Sequence, residues 1–213
     1  MRVVNLFSGP AAGKSTCATG IFYTLKSKYN VNCEYVSEYA KILAWEDNSA
    51  KLADQFYVTA KQNRSLEILR GKVSYAISDS PLLLGIHYAT DYKLKSYGAM
   101  VKELFDSYDN VNFFINRKKK FNPAGRFHNE EQSKEIDVKI KELLIKLAVP
   151  FVEIDGDELA VERIIAHIFN DESALAQLAF MSKERKVAND LRQFAEEFKN
   201  SPEMQARAKA NRV

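Results

Sequence analysis

Ser8-Gly9-Pro10-Ala11-Ala12-Gly13-Lys14-Ser15-Thr16 stands directly after a short apolar, β-branched run, 2–7, and directly before a stretch of helical spacing, 14–28. Strand, small-residue turn, Lys-Ser-Thr and helix in that order are the pattern of a phosphate-binding loop, with Ser8 where a first glycine is usual. Small residues at Gly9, Pro10, Ala11, Ala12 and Gly13 let backbone N–H groups close around a phosphate. The helix starting at Lys14 turns the positive end of its dipole towards the same point. Lys14 supplies a mobile cation for β- and γ-phosphates, Ser15 a hydroxyl ligand for Mg²⁺, and Thr16 a hydrogen bond to an α-phosphate. A chance glycine turn with an exposed lysine would not need a strand and a helix at its two ends. The stretch reads as a nucleoside triphosphate site, with ATP and Mg²⁺ as its cofactors.

Outward from the loop, strand and helix alternate. Strands are expected at 2–7, 33–36, 73–79, 111–116 and 151–154, and helices at 14–28, 54–71, 93–108, 130–147 and 158–169. Parallel neighbours need crossovers, and crossover helices pack back on the sheet. The expected fold is α/β: a P-loop NTPase three-layer α/β/α sandwich with a five-stranded parallel sheet, a lid and a helical C-terminal extension. The boundary is placed at 170. From Asp171 on there is no strand pattern, and Val187, Leu191, Phe194 and Phe198 form one stripe on a helix.

Composition bounds the rest. The chain has 213 residues, 46% hydrophobic and 28% charged, with 8 Gly and 5 Pro, which excludes collagen-like and low-complexity chains and suits long regular elements. A formal net charge of +3 does not argue nucleic-acid binding. That excess equals the excess of residues 183–213, with eight Lys/Arg against five Asp/Glu, so the tail is a basic appendix to a neutral core. It is expected to pack on its own domain or on a sister copy, and in the second case the terminal helix joins a homodimer. Contact with nucleic acid or another protein, and a disordered end, are the alternatives. No apolar run nears the roughly 18 residues of a membrane span, residues 1–7 do not read as a signal peptide, and Cys17 and Cys33 are two isolated thiols. His87, His128 and His167 lack ligand spacing, so no structural zinc is expected. A cytoplasmic protein is the simplest expectation.

Three further places carry chemistry. Glu38, in Val36-Ser37-Glu38-Tyr39, falls at a strand's C-terminal edge, where open α/β sheets place their ligands. A carboxylate there can take the proton of an attacking hydroxyl, hold a water on Mg²⁺, or simply start a helix. Asp79, at the end of the third strand, is the candidate Mg²⁺-linked carboxylate, with a plain turn residue as the alternative. Arg117-Lys118-Lys119-Lys120 and Arg126, around Asn122-Pro123-Ala124-Gly125, read as a lid whose arginines neutralise a transferred phosphoryl group. A nucleic-acid patch or a solvated basic loop would carry the same residues. Phe121 and Phe127 flank that turn as apolar anchors, and Trp45 offers either a stacking surface or ordinary packing.

The order of phosphate loop, Val36-Ser37-Glu38-Tyr39, Asp54-Gln55, Asp79-Ser80, Gly125-Arg126 and Val152-Glu153-Ile154-Asp155-Gly156-Asp157 resembles the small P-loop kinases. It is most similar to the ribosylnicotinamide kinase domain of NadR-type proteins and to AAA-type ATPase/kinase proteins of bacteriophages, and more distantly to deoxynucleoside kinases. The resemblance covers about residues 1–170 and implies roles residue by residue. Glu38 becomes the base or the acceptor-hydroxyl ligand, and Gln55 and Arg64 face the acceptor. Arg117 and Arg126 are lid residues, and Asp155, Gly156 and Asp157 lie beside the adenine ring. It also suggests a bacterial or phage-infected cytoplasm.

The function expected is ATP- and Mg²⁺-dependent phosphoryl transfer to a hydroxyl of a nucleoside, a nucleotide or a related small metabolite. Two alternatives stand beside it: a kinase whose acceptor is a DNA or RNA hydroxyl, and an ATPase whose hydrolysis drives a protein partner.

Overall fold

The computed structural model describes residues 1–89, 94–118 and 129–199. Five strands, β1 (Arg2–Phe7), β2 (Cys33–Val36), β3 (Tyr75–Ser78), β4 (Asp109–Asn116) and β5 (Val152–Asp155), form one all-parallel sheet in the order β2-β3-β1-β4-β5. β1 is central, so the loop that follows it emerges in the middle of the sheet's C-terminal edge.

The period of two along each strand sorts the core into two halves. Val4 and Leu6 of β1, with Phe113 and Ile115 of β4, face α1 (Lys14–Ser27) and the helix 160–168 that follows β5. Val3 and Phe7 of β1, with Phe114 of β4, face the opposite layer. That layer holds α4 (Gln55–Glu67), α5 (Leu84–Tyr88), α6 (Tyr97–Asp106) and α7 (Glu130–Lys146). Both faces of the sheet are covered, as an all-parallel sheet requires. The polar exception is an amide ladder, Asn5 Nδ2 donating to Asn110 Oδ1 at 2.9 Å and Asn112 Oδ1 at 3.0 Å, which ties β1 to β4.

Local chemistry sets the element ends. α7 begins with a capping box, Asn129 accepting from the Gln132 amide while the Gln132 side chain accepts from the Asn129 amide, and with Glu130 and Glu131 at the dipole's positive end. Asp54 caps α4 through the Tyr57 amide. The expected strands and long helices lie within a few residues of their observed places. Three short helices were not expected: α2 (Tyr39–Trp45), α3 (Ser49–Ala53) and α5, too short to show a period.

After α8 (Ala160–Ile168) the chain continues as α9 (Glu172–Lys199), whose first half lies against α8. Arg163 Nη2 donates to Ser182 Oγ at 2.7 Å, and Arg185 pairs with Glu158 at 3.0 Å. Val187 and Leu191 of the expected stripe are exposed; the side chains of Phe194 and Phe198 lie outside the described residues. Among the described residues no helix is long and apolar enough to cross a membrane.

Candidate functional site

The loop after β1 is shaped by two backbone demands. Ala11 and Gly13 take positive φ, 59° and 101°, and at Gly13 no atom lies within 4 Å of where a Cβ would stand, so glycine serves there for its conformation, not for space. Gly13 precedes α1, and the first helical bond runs from the Cys17 amide to the Gly13 carbonyl at 2.9 Å. Lys14 folds back along the loop, its Nζ donating to the Ser8 and Gly9 carbonyls at 2.8 Å each. The ammonium is thereby held over the hollow that the loop encloses.

Beside α1's first turn, three oxygen-bearing side chains from three elements converge. Tyr35 of β2 donates its phenol proton to Asp79 Oδ2 at 2.7 Å, and the Ser15 hydroxyl lies near the same phenol. Burial, and then the bond to Asp79, hold the Tyr35 proton well above the ordinary tyrosine range, so Tyr35 stays a donor at physiological pH. Asp79 is 2% exposed, and its Oδ1 is buried without a hydrogen-bond partner. An orphaned carboxylate oxygen beside a serine hydroxyl fits a hard divalent cation that keeps most of its waters. Among the described residues no cluster of three His, Cys, Asp or Glu side chains could hold a metal by itself. The donors suit an ion that arrives with phosphates.

Next to the loop opens a cavity of about 160 Å³, lined by Pro10 of the loop, Glu38, Gln55, Thr59, Gln62 and Pro81 among others. Glu38 stands at the turn from β2 into α2. Gln62 holds that turn from both sides, its Oε1 accepting from the Tyr39 amide at 3.0 Å and its Nε2 donating to the Ser37 carbonyl at 3.2 Å. The α4 wall is fixed in turn by Tyr97, whose hydroxyl bonds the Gln55 carbonyl at 2.9 Å and Thr59 Oγ1 at 2.7 Å. Sequence reasoning missed Tyr35, Thr59, Gln62 and Tyr97. Gln62 was legible in principle, since it lies seven residues from Gln55 on the same helix face.

Not every expected residue comes to this place. Arg64 is exposed and is no part of the cavity wall, because nine residues from Gln55 is half a turn out of phase on α4. Trp45 is 67% exposed and also off the cavity wall. Arg117 does not hang over the cavity: its guanidinium pairs with Asp137 of α7 at 3.0 Å at the base of the phosphate loop. Arg126, His128 and the turn residues 119–125 and 127 lie outside the described residues. Asp155 ends β5 and pairs with Lys118 at 3.3 Å. Gly156 donates to the Asn116 carbonyl at 2.8 Å and sits against the Ala12 carbonyl, which brings that turn to the phosphate loop. Asp157 lies three residues before α8, accepting from the Leu159 amide at 2.9 Å and pairing with Arg163 at 2.7 Å.

A parallel sheet with a glycine-ended, lysine-bearing loop after its central strand defines a P-loop NTPase fold. Residues 3–163 match the family described as AAA domain, and the chain belongs to that family. Among solved structures it is similar to a deoxyadenosine kinase from M. mycoides determined with products dCMP and a flexible dCDP bound. The two share 16% identity over 82% of this chain and 100% of that one, with a TM-score of 0.47. It is also similar to a shikimate kinase from Bacteroides thetaiotaomicron, at 13% identity over 85% and 98% of the two chains with a TM-score of 0.40. No curated protein matches the chain.

Proposed function

We propose that the protein is an ATP- and Mg²⁺-dependent phosphotransferase acting on a hydroxyl of a small nucleoside-like acceptor. The observation that carries this reading is the cavity itself: it opens against the phosphate loop at Pro10 and has a carboxylate, Glu38, in its wall. Two neighbouring compartments, one for an anion and one for an organic acceptor, suit transfer better than hydrolysis. The apolar walls with a few amide and hydroxyl groups suit a small, partly flat molecule.

In this reading the loop amides, Lys14 and Thr16 hold the triphosphate, and Mg²⁺, when bound, neutralises charge on the β- and γ-phosphates. Ser15 and Asp79 are the side chains that would hold it, with Tyr35 orienting Asp79. Glu38 accepts the proton of the acceptor hydroxyl as its oxygen bonds to the γ-phosphorus, while the bond from that phosphorus to the bridging oxygen breaks and ADP leaves. Asp155 and Gly156 border the nucleoside end of the donor. Arg126 is, in this reading, the lid residue that meets the transferred group.

The test is transfer from γ-labelled ATP with Mg²⁺ to a panel of nucleosides, nucleoside monophosphates, nicotinamide riboside and short DNA or RNA oligomers. A labelled small-molecule product supports the proposal. A labelled oligomer alone replaces it with a polynucleotide kinase, and free phosphate unchanged by every acceptor replaces it with an ATPase. Asp79→Asn, which keeps a partner for Tyr35 but loses the charge, is expected to raise the Mg²⁺ concentration for half-maximal rate by about 10- to 100-fold. A Mg²⁺ titration unchanged in that variant removes Asp79 from the metal site.

A further inference from the structure

Asp137 lies two turns into α7 and has no part in the steps above. Its Oδ1 accepts from Ser8 Oγ at 2.8 Å and from the Gly9 amide at 2.5 Å, while its Oδ2 accepts from Arg117 Nε at 3.2 Å and Nη2 at 3.0 Å. The Arg117 and Asp137 side chains are 9% and 17% exposed, so the pair is largely shielded from water. α7 also presses on the loop directly. A Cβ at Gly9 would stand 2.6 Å from the Ser133 carbonyl and 2.9 Å from the same Asp137 oxygen.

We propose that Asp137 is a positioning residue that fixes the entry of the phosphate loop to α7 and holds the Arg117 charge beside it. The inference rests on the nucleotide-binding reading of the loop. Three observations converge on it. The Gly9 amide finds its acceptor in Asp137, outside the loop. Ser8, in place of the usual glycine, brings the hydroxyl that a glycine lacks, and that hydroxyl is spent on Asp137. Arg117 leaves the sheet beside this point because β4 pairs with β1 up to Phe7 and Phe114 and then runs two residues further.

The test separates this role from simple electrostatics. Removing the Asp137 carboxylate together with the Arg117 guanidinium leaves the net charge beside the loop unchanged, and Ser8→Ala changes no charge, so Coulomb terms predict little change in nucleotide affinity. Positioning predicts weaker binding in both.

The experiment compares wild type with the double variant Asp137→Leu/Arg117→Met and with Ser8→Ala. The double variant leaves no unpaired buried charge and is therefore expected to fold. Amide hydrogen exchange of residues 8–16 is read without nucleotide, and MgATP affinity by calorimetry. The expected result is faster exchange at Gly9 and about tenfold weaker MgATP binding in the double variant, with about threefold weakening in Ser8→Ala. Wild-type exchange together with unchanged or tighter binding in the folded double variant overturns the inference. Should the double variant not fold, Ser8→Ala decides alone, and no change in its exchange or affinity overturns the inference as well. A wild-type chain that binds no MgATP refutes the phosphotransferase reading, and the exchange measurement then still decides whether Asp137 fixes the loop.

Discussion

Lys14→Ala is expected to lower phosphoryl transfer by at least about 10²- to 10³-fold, the cost of removing one preorganised donor from a site where negative charge develops. Two hydrogen bonds of 2.8 Å to the Ser8 and Gly9 carbonyls hold the ammonium over the loop before any phosphate arrives, so little reorganisation is needed when one does. The same bonds mean that alanine leaves two loop carbonyls without that donor, at about 1 kcal/mol each if water does not replace it. The melting temperature is then expected to fall by a few degrees, with α1 and β1 intact because both are set by buried apolar residues such as Val4, Leu6 and Ile21. Initial rates at saturating MgATP, with a circular dichroism melt, check both parts. Wild-type turnover in the variant would sink the loop assignment.

Glu38→Gln is expected to lower transfer by about 10²- to 10⁴-fold, the range for losing a general base, while MgATP affinity stays within about twofold. The substitution keeps size and hydrogen-bonding capacity, and Gln62 holds the turn through the backbone of Ser37 and Tyr39. A change in rate therefore reports on the carboxylate and not on a displaced turn. Transfer and MgATP affinity falling together would make Glu38 a metal-site residue, and a variant with full rate would leave it as the residue that starts α2.

The phosphate loop was legible because its chemistry is local: contiguous residues meet one phosphate, and strand and helix on its two sides are fixed by apolar periodicity. Asp79 and Glu38 were legible for a related reason, since each stands at the C-terminal end of a parallel strand, and such ends fall on one edge of the sheet. Arg64 sits on α4 near Gln55 in sequence, while the helix turns it away from the cavity, which only the phase of the helix shows. The partner of Arg117 was not legible, because a basic run after β4 says nothing about an acid on α7 twenty residues later.

By itself the sequence determined the alternation of strands and helices, the α/β class and the place of the phosphate loop, all of which follow from spacings of two, three and four along the chain and from residues in direct succession. The tertiary structure alone decided the strand order that makes β1 central and the cavity wall built from α2, α4 and α5. It alone brought Tyr35 to Asp79, and tied Ser8, Gly9 and Arg117 to Asp137. Those partners lie 20 to 129 residues apart in sequence, and what selects them is the packing of helix faces on the sheet, which no local spacing records.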